Sequence, residues 1–330
     1  MGRSGTTLLT NMLNSHANIV ACPENEFIIF LQQNFKNEDF SNPKVVDSFL
    51  GIFNLEYNRV LSFWKPDLNV LRQDIEKLEI KSFENVCKLV YMNYPFAEKN
   101  KNDVSCIVDK NPIHSLYLNE LQKLFPDAKY IILSRDYRDN IVSRKTYSDK
   151  NSSILKLAVA WNYFYQQIAK SVKSNDLNVS YLRYEDLVSN PEDELMKLCD
   201  FLQVEYQNSM LEFQTLSKKI KSHIKESASA EKYEKISSMH QNLEKKVSSD
   251  RVGSFDSRLT KNEIAVLNFI CKNEAKKIGY LNLIEDSSIN LRQKAVLQFY
   301  RLYIPLFYNL EKIKLKLPLK IKKILLRKKQ

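Results

Sequence analysis

The sequence predicts an α/β protein in which a parallel sheet is flanked by helices. Three observations lead there. Short apolar, β-rich runs alternate with longer stretches of helical periodicity, the pattern of strands joined by crossover helices. Hydrophobic residues make up 44% of a 330-residue chain, enough to bury a full core. Five Gly and nine Pro are few for that length, which favours long regular elements.

The first element is a helix at about 6–15, where Leu8, Leu9, Met12 and Leu13 recur at helical spacing. It opens straight from Met1-Gly2-Arg3-Ser4-Gly5, and a loop of this kind normally follows a strand. That strand would precede Met1. A start codon placed too late, a fragment, or a fold without its first strand would each account for this, and the first is favoured. Ile19 to Cys22 reads as a short strand stopped at Pro23, and residues 28–100 read as mostly helical. Val104 to Val108 is a second strand, ended by Asp109-Lys110-Asn111-Pro112. A helix is expected at about 114–124, and then a buried strand at Lys129 to Leu133. Leu155 to Val172 makes a long amphipathic helix whose Trp161, Tyr163 and Phe164 read as core rather than as a platform for bases. Val179 to Leu182 is strand-like. Asn190-Pro191-Glu192-Asp193 follows as an N-cap, a proline at the first helical position and acids in the first turn.

Charge narrows the function classes. The chain carries a net charge of +11, but residues 286–330 hold 12 Lys+Arg against 2 acidic residues. The first 285 residues hold 38 against 37, so the body is nearly neutral and nucleic-acid binding is not expected. Cys22, Cys87, Cys106, Cys199 and Cys271 form no CxxC pair, which speaks against a disulfide framework or zinc cluster and fits a reducing compartment. His16, His114, His223 and His240 lack metal-ligand spacing, so no metal is expected and His16 reads as structural. The sequence therefore points to a cytoplasmic protein.

Two segments carry chemistry. Gly2 to Thr7 is a glycine-containing loop that opens a helix. It offers backbone N–H groups, the positive end of the dipole, the Arg3 charge and the hydroxyls of Ser4, Thr6 and Thr7 to an anion. No lysine stands where a Walker loop needs one. An ordinary capped helix start is the alternative. Ser134-Arg135-Asp136-Tyr137-Arg138-Asp139-Asn140 follows a buried strand, at the carboxyl end where open parallel sheets bind ligands. Arg135 can present a cationic fork there, and Ser143 lies two helical turns on. Solvated Arg–Asp ion pairs are the alternative.

Taken together, GRSGTTLL at the start, DKNP at 109–112, LSRDYRDNIVS at 133–143, RYEDLVSNPEDEL at 183–195 and RVGSF at 251–255 resemble, in order and spacing, the sulfotransferases that use 3′-phosphoadenosine 5′-phosphosulfate (PAPS). The match is nearest to the branch of tyrosylprotein and bacterial carbohydrate or lipid sulfotransferases. It covers about residues 2–281 and is thin between 28 and 100. The resemblance implies a three-layer, P-loop-like fold, with a sulfotransferase domain at 1–285 and a basic amphipathic tail at 286–330. It implies a PAPS donor leaving as 3′,5′-ADP. Arg3, Ser4, Gly5, Thr6 and Thr7 would hold the 5′-phosphosulfate and Arg135 with Ser143 the 3′-phosphate. Tyr184 would lie near the nucleotide, and Arg251 and Gly253 would form a loop that closes over it. By the same resemblance Glu24 is the general base, with Glu26 in reserve, and Lys110 and Arg3 neutralise the leaving phosphate. A surface acid at a turn is the alternative for either glutamate.

In-line sulfuryl transfer asks mainly for positioning and charge stabilisation, which these residue types supply. The expected acceptor is a hydroxyl, in the first place on a carbohydrate or glycolipid, with tyrosine as a further candidate. A P-loop kinase or hydrolase, and a non-catalytic membrane-associated nucleotide binder, are the competing classes. In the tail, residues 295–308 are too broken for a membrane span. Ile313 to Lys322 alternates with period two, so an extended form would have one apolar and one cationic side. Attachment to an anionic membrane surface, at the inner face, is expected from it, against a frayed tail or a helix packed on the body.

Overall fold

The structure is a computed structural model that describes residues 2–60, 66–94, 103–147, 149, 151–227, 233–234, 237, 241–280 and 289–327. The chain begins with the Gly2–Gly5 turn and helix α1 (Thr6–Asn14), then strand β1 (Ile19–Cys22). Helices α2 (Phe27–Phe35), α3 (Pro43–Val60), α4 (Leu68–Glu76) and α5 (Phe83–Met92) fill the region read as helical. Strand β2 (Cys106–Asp109) follows two residues later than expected. The helix expected at 114–124 divides into a 3₁₀ turn at Pro112–Leu116 and α6 (Leu118–Leu124), because Tyr117 leaves helical geometry at φ −130°.

Strand β3 (Tyr130–Ser134), α7 (Tyr137–Tyr147), α8 (Ile154–Asn175) and strand β4 (Val179–Arg183) come next. They lead into α9 (Tyr184–Ser189), α10 (Pro191–Leu202) and α11 (Gln214–Ser227). Asn190 stands before Pro191 as expected but makes no side-chain cap bond, leaving the proline and Glu192, Asp193 and Glu194 to start α10. Helices α12 (Lys261–Lys277), α13 (Leu291–Leu315) and α14 (Leu319–Arg327) complete the chain.

The pairing is parallel throughout, as the alternation of elements predicts. β1 pairs with β2, Ile19 opposite Cys106 and Cys22 opposite Asp109. β3 pairs with β4, Tyr130 opposite Val179 and Ser134 opposite Arg183. Among the described residues no pairing joins the two halves. They border a cleft of about 940 Å³ lined by Cys106 to Val108 on one side and Ile131 to Leu133 on the other. No described strand precedes the Gly2–Gly5 turn.

One apolar core is built from α2, α3 and α5 around Phe27, Phe35, Phe40, Phe49, Phe53 and Phe83, with Phe27 and Phe53 edge to face at 5.4 Å. Trp161 and Phe164 are buried core residues, as read from the sequence. The five cysteines are free thiols. His16 is tied down, its Nδ1 accepting from the Asn18 N–H at 3.0 Å and its Nε2 donating to the Glu205 carbonyl at 2.7 Å. His240 lies outside the described residues, as does the boundary drawn at residue 285.

The tail departs from the extended reading. Ile313 to Lys322 is helical on both sides of a short break, and α13 runs through Pro305. A helix satisfies its own backbone, which a lone extended segment cannot do. Docking fixes the choice. Lys322 is only 1% exposed and donates to the Phe30 carbonyl and, at 2.7 Å, to Asn34 Oδ1, with its ammonium over the Phe30 ring.

Candidate active site

The turn that opens α1 is shaped for close approach. Arg3 takes φ +67° and Gly5 φ +91°, both left-handed. A side chain at Gly5 could not fit, since its Cβ would lie 2.4 Å from Cδ2 of the Tyr184 ring. Successive N–H groups in such a turn, with the first turn of α1 behind them, make an anion-binding concavity. Asn140, fully buried on α7, holds the turn from below. Its Nδ2 donates to the Gly2 carbonyl at 2.9 Å and to Ser4 Oγ at 3.1 Å. Ser4 is itself buried, so it supports the turn rather than facing the cleft.

Arg3 reaches across to α7, donating from Nε to Ser143 Oγ at 3.2 Å, with its guanidinium 5.0 Å from the Tyr147 ring. Burial, and then the neighbouring charges of Arg251 and Arg135, pull its pKa below the usual arginine value. Three guanidinium groups gathered in this way favour an anion between them.

Glu24 leaves the end of β1 and Lys110 the end of β2, so the parallel pairing itself brings them together. Lys110 Nζ lies 2.8 Å from Glu24 Oε1 and 3.5 Å from Thr7 Oγ1. The ammonium is mostly buried and the carboxylate half exposed, facing the cleft. Two asparagines lock this geometry. The Asn25 N–H donates to Asn111 Oδ1 at 2.7 Å, and Asn111 Nδ2 donates to the Asn25 carbonyl at 2.6 Å. Glu26 opens α2 and lines the same cleft.

Arg135 and Tyr184 stand just beyond the ends of β3 and β4. The Arg135 guanidinium lies 4.5 Å over the Tyr184 ring and donates from Nη2 to the Arg251 carbonyl at 2.8 Å and from Nη1 to the Arg3 carbonyl at 3.5 Å. Its Nε is buried without a hydrogen-bond partner among the described residues. The solvated ion pairs considered for this motif are not what forms. Asp136 takes Arg138 in a buried pair at 2.6 Å, and Asp139 makes no ion pair among the described residues. Instead Asp139 gathers a distant loop: Gly253 N–H at 2.8 Å, Ser254 Oγ at 2.8 Å and Phe255 N–H at 2.9 Å. Burial raises the Asp139 pKa, while the Ser254 hydrogen bond and the charge of Arg135 pull the other way.

These residues share one cleft of about 880 Å³. Arg3, Gly5, Thr6, Thr7, Glu24, Glu26, Lys110, Arg135, Ser143, Tyr184 and Arg251 line it; Ser4 and Gly253 do not. Asn25, Asn111, Asp139 and Asn140 escaped the sequence reading. Asp139 and Asn140 precede Ser143 on α7 by four and three residues, which was the available signal. Ile113, Ile220, Phe164 and, from α13, Tyr308 line the rest of the cleft.

The chain matches the family model described as "Sulfotransferase family" over residues 1–208. It is 26% identical over 224 residues to Protein-tyrosine sulfotransferase A of Caenorhabditis elegans, covering 65% of this chain and 51% of that protein. The chain spans about half or less of the length of the curated relatives it matches, from 39 to 51%. Among solved structures it resembles the sulfotransferase domain of the Synechococcus PCC 7002 olefin synthase, at 20% identity and TM-score 0.49 over 84% of this chain and 92% of that one. It also resembles the sulfotransferase domain of the curacin biosynthetic pathway, at 24% identity and TM-score 0.41 over 64% and 74%. With the family model covering well over half of the chain, the protein belongs to the sulfotransferase family.

Proposed function

We propose that the chain transfers a sulfuryl group from PAPS to a hydroxyl acceptor. The observation that carries this reading is one cleft that joins a carboxylate–ammonium pair to a cluster of guanidinium groups. The Glu24–Lys110 pair stands beside Thr7, and Arg135, bonded to the Arg3 carbonyl, is buried with an unsatisfied Nε. The 5′-phosphosulfate fits the turn and the first turn of α1, and the 3′-phosphate fits Arg135, with Ser143 beside it. Glu24 takes the proton of the acceptor hydroxyl as its oxygen attacks sulfur. The bond from sulfur to the phosphate oxygen breaks, and Lys110 and Arg3 offset the charge that grows on the departing 3′,5′-ADP.

For the acceptor we favour the phenolic hydroxyl of tyrosine. The curated relative named above is Protein-tyrosine sulfotransferase A, and Phe164 and Tyr308 give the cleft an aromatic wall. Carbohydrate and glycolipid hydroxyls are the other arms of the test. Radiolabelled donor incubated with a tyrosine peptide, an oligosaccharide and a glycolipid should label the peptide, and 3′,5′-ADP should bind more tightly than ATP. Equal binding of the two nucleotides would sink the donor assignment, and magnesium-dependent ATP turnover would favour a kinase or hydrolase.

A further inference from the structure

Helix α13 has two apolar faces, and the fold uses one. Leu297 and Ile304 are buried, Tyr308 stacks on Tyr163 at 5.8 Å, and the Tyr300 hydroxyl receives a hydrogen bond from Ser153 Oγ at 3.2 Å. This face lies on α8. The opposite face carries Phe299, Leu302, Leu306, Leu310 and Ile313, spaced by three or four residues so that they form one stripe along the helix. Their exposures run from 50% at Leu310 to 76% at Leu302. Scattered exposed leucines are ordinary on a protein surface, but a continuous stripe over four turns marks a surface that meets something apolar.

The surroundings say what that is. At 100° per residue, Arg292 and Lys314 fall along one border of the stripe and Lys316 along the other, while Lys312 turns back over the Tyr117 ring. The one carboxylate of α13, Glu311, turns toward the packed side and is already paired with Lys314. Beyond the break, α14 adds exposed Ile321, Ile324 and Leu325 among Lys320 and Lys323. An apolar stripe edged by cations and free of anions complements an anionic lipid surface. The apolar side chains enter the acyl boundary while the lysines meet headgroups. No described helix is long and apolar enough to cross a membrane, so the helix would lie in the plane of the interface.

We propose that the outer face of α13 docks the protein on an anionic lipid surface, independently of the reaction proposed above. The extended basic strand expected at 313–322 is not the contact; the helical stripe that begins at Phe299 is. The test is flotation of the full chain with phosphatidylcholine vesicles, with and without phosphatidylserine, at low and high salt. Binding should require phosphatidylserine and weaken with salt. Exchanging Leu302→Asp and Leu306→Asp together should lower vesicle affinity at least about tenfold, with melting temperature and circular dichroism unchanged, since both side chains are exposed. Absence of binding, equal binding to neutral vesicles, or retention by the double variant would overturn the proposal. So would sedimentation showing a dimer that these substitutions dissociate, for then a second copy covers the stripe.

Discussion

At Gly5 a single methyl group decides whether the turn can form. The residue sits at φ +91° with the Tyr184 ring where a Cβ would be, and that ring is held in turn by Arg135. Gly5→Ala must shift the ring or the turn, at a cost of about 1–3 kcal/mol. Melting temperature should fall, and isothermal titration should show nucleotide binding weakened with it. Glu24 calls for the opposite outcome. Its carboxylate is half exposed and stabilises little, so Glu24→Gln should leave folding and donor affinity unchanged while turnover drops roughly 10²–10⁴-fold. Retained turnover would remove Glu24 from the role of base. Which residues line the cleft could largely be read from the chain, because an arginine after a buried strand or a glycine turn before a helix advertises itself locally. Asp139 could not be read in this way. In sequence it looks like half of an ion pair, and its true partners lie 114 to 116 residues away.

Among the elements, strands and helices followed their periodicity wherever one face met the core. The exceptions have physical causes. Pro112 and Tyr117 split one helix into a 3₁₀ turn and α6. The tail alternates with period two, a pattern that fits a strand, yet a helix places Leu315, Leu319 and the stem of Lys322 on the body while bonding its own backbone. A lysine that reads as solvated is the latch of α14, which no local pattern could reveal. Lys322→Ala should remove the bonds to the Phe30 carbonyl and Asn34 Oδ1, costing about 1–3 kcal/mol. Proteolysis should then cut first near the break between α13 and α14. Unchanged melting and cleavage would mean that the latch carries no weight. The loops after β1 and β2 teach a similar lesson: Asn25 and Asn111 set the distance between Glu24 and Lys110 by bonding to each other.

Across the whole molecule the cleft draws on both halves of the sheet. Glu24 and Lys110 follow β1 and β2, whereas Arg135 and Tyr184 follow β3 and β4. A nucleotide held as proposed would touch both halves, so 3′,5′-ADP at roughly 100 times its Kd should stabilise the fold by about 2.7 kcal/mol. Calorimetry would show this as a single raised transition; a rise confined to part of the unfolding signal would mean that the ligand touches one half alone. The split sheet has a mechanical side as well. With no described rung joining β2 to β3, the spacing between Glu24 and Arg135 is set by side-chain packing, the softer spring. The seam is where the protein should breathe, and the donor should act as its rivet. Amide exchange at Ile107, Val108, Ile131 and Ile132 should therefore slow in concert when nucleotide binds, while that of α12 keeps its pace.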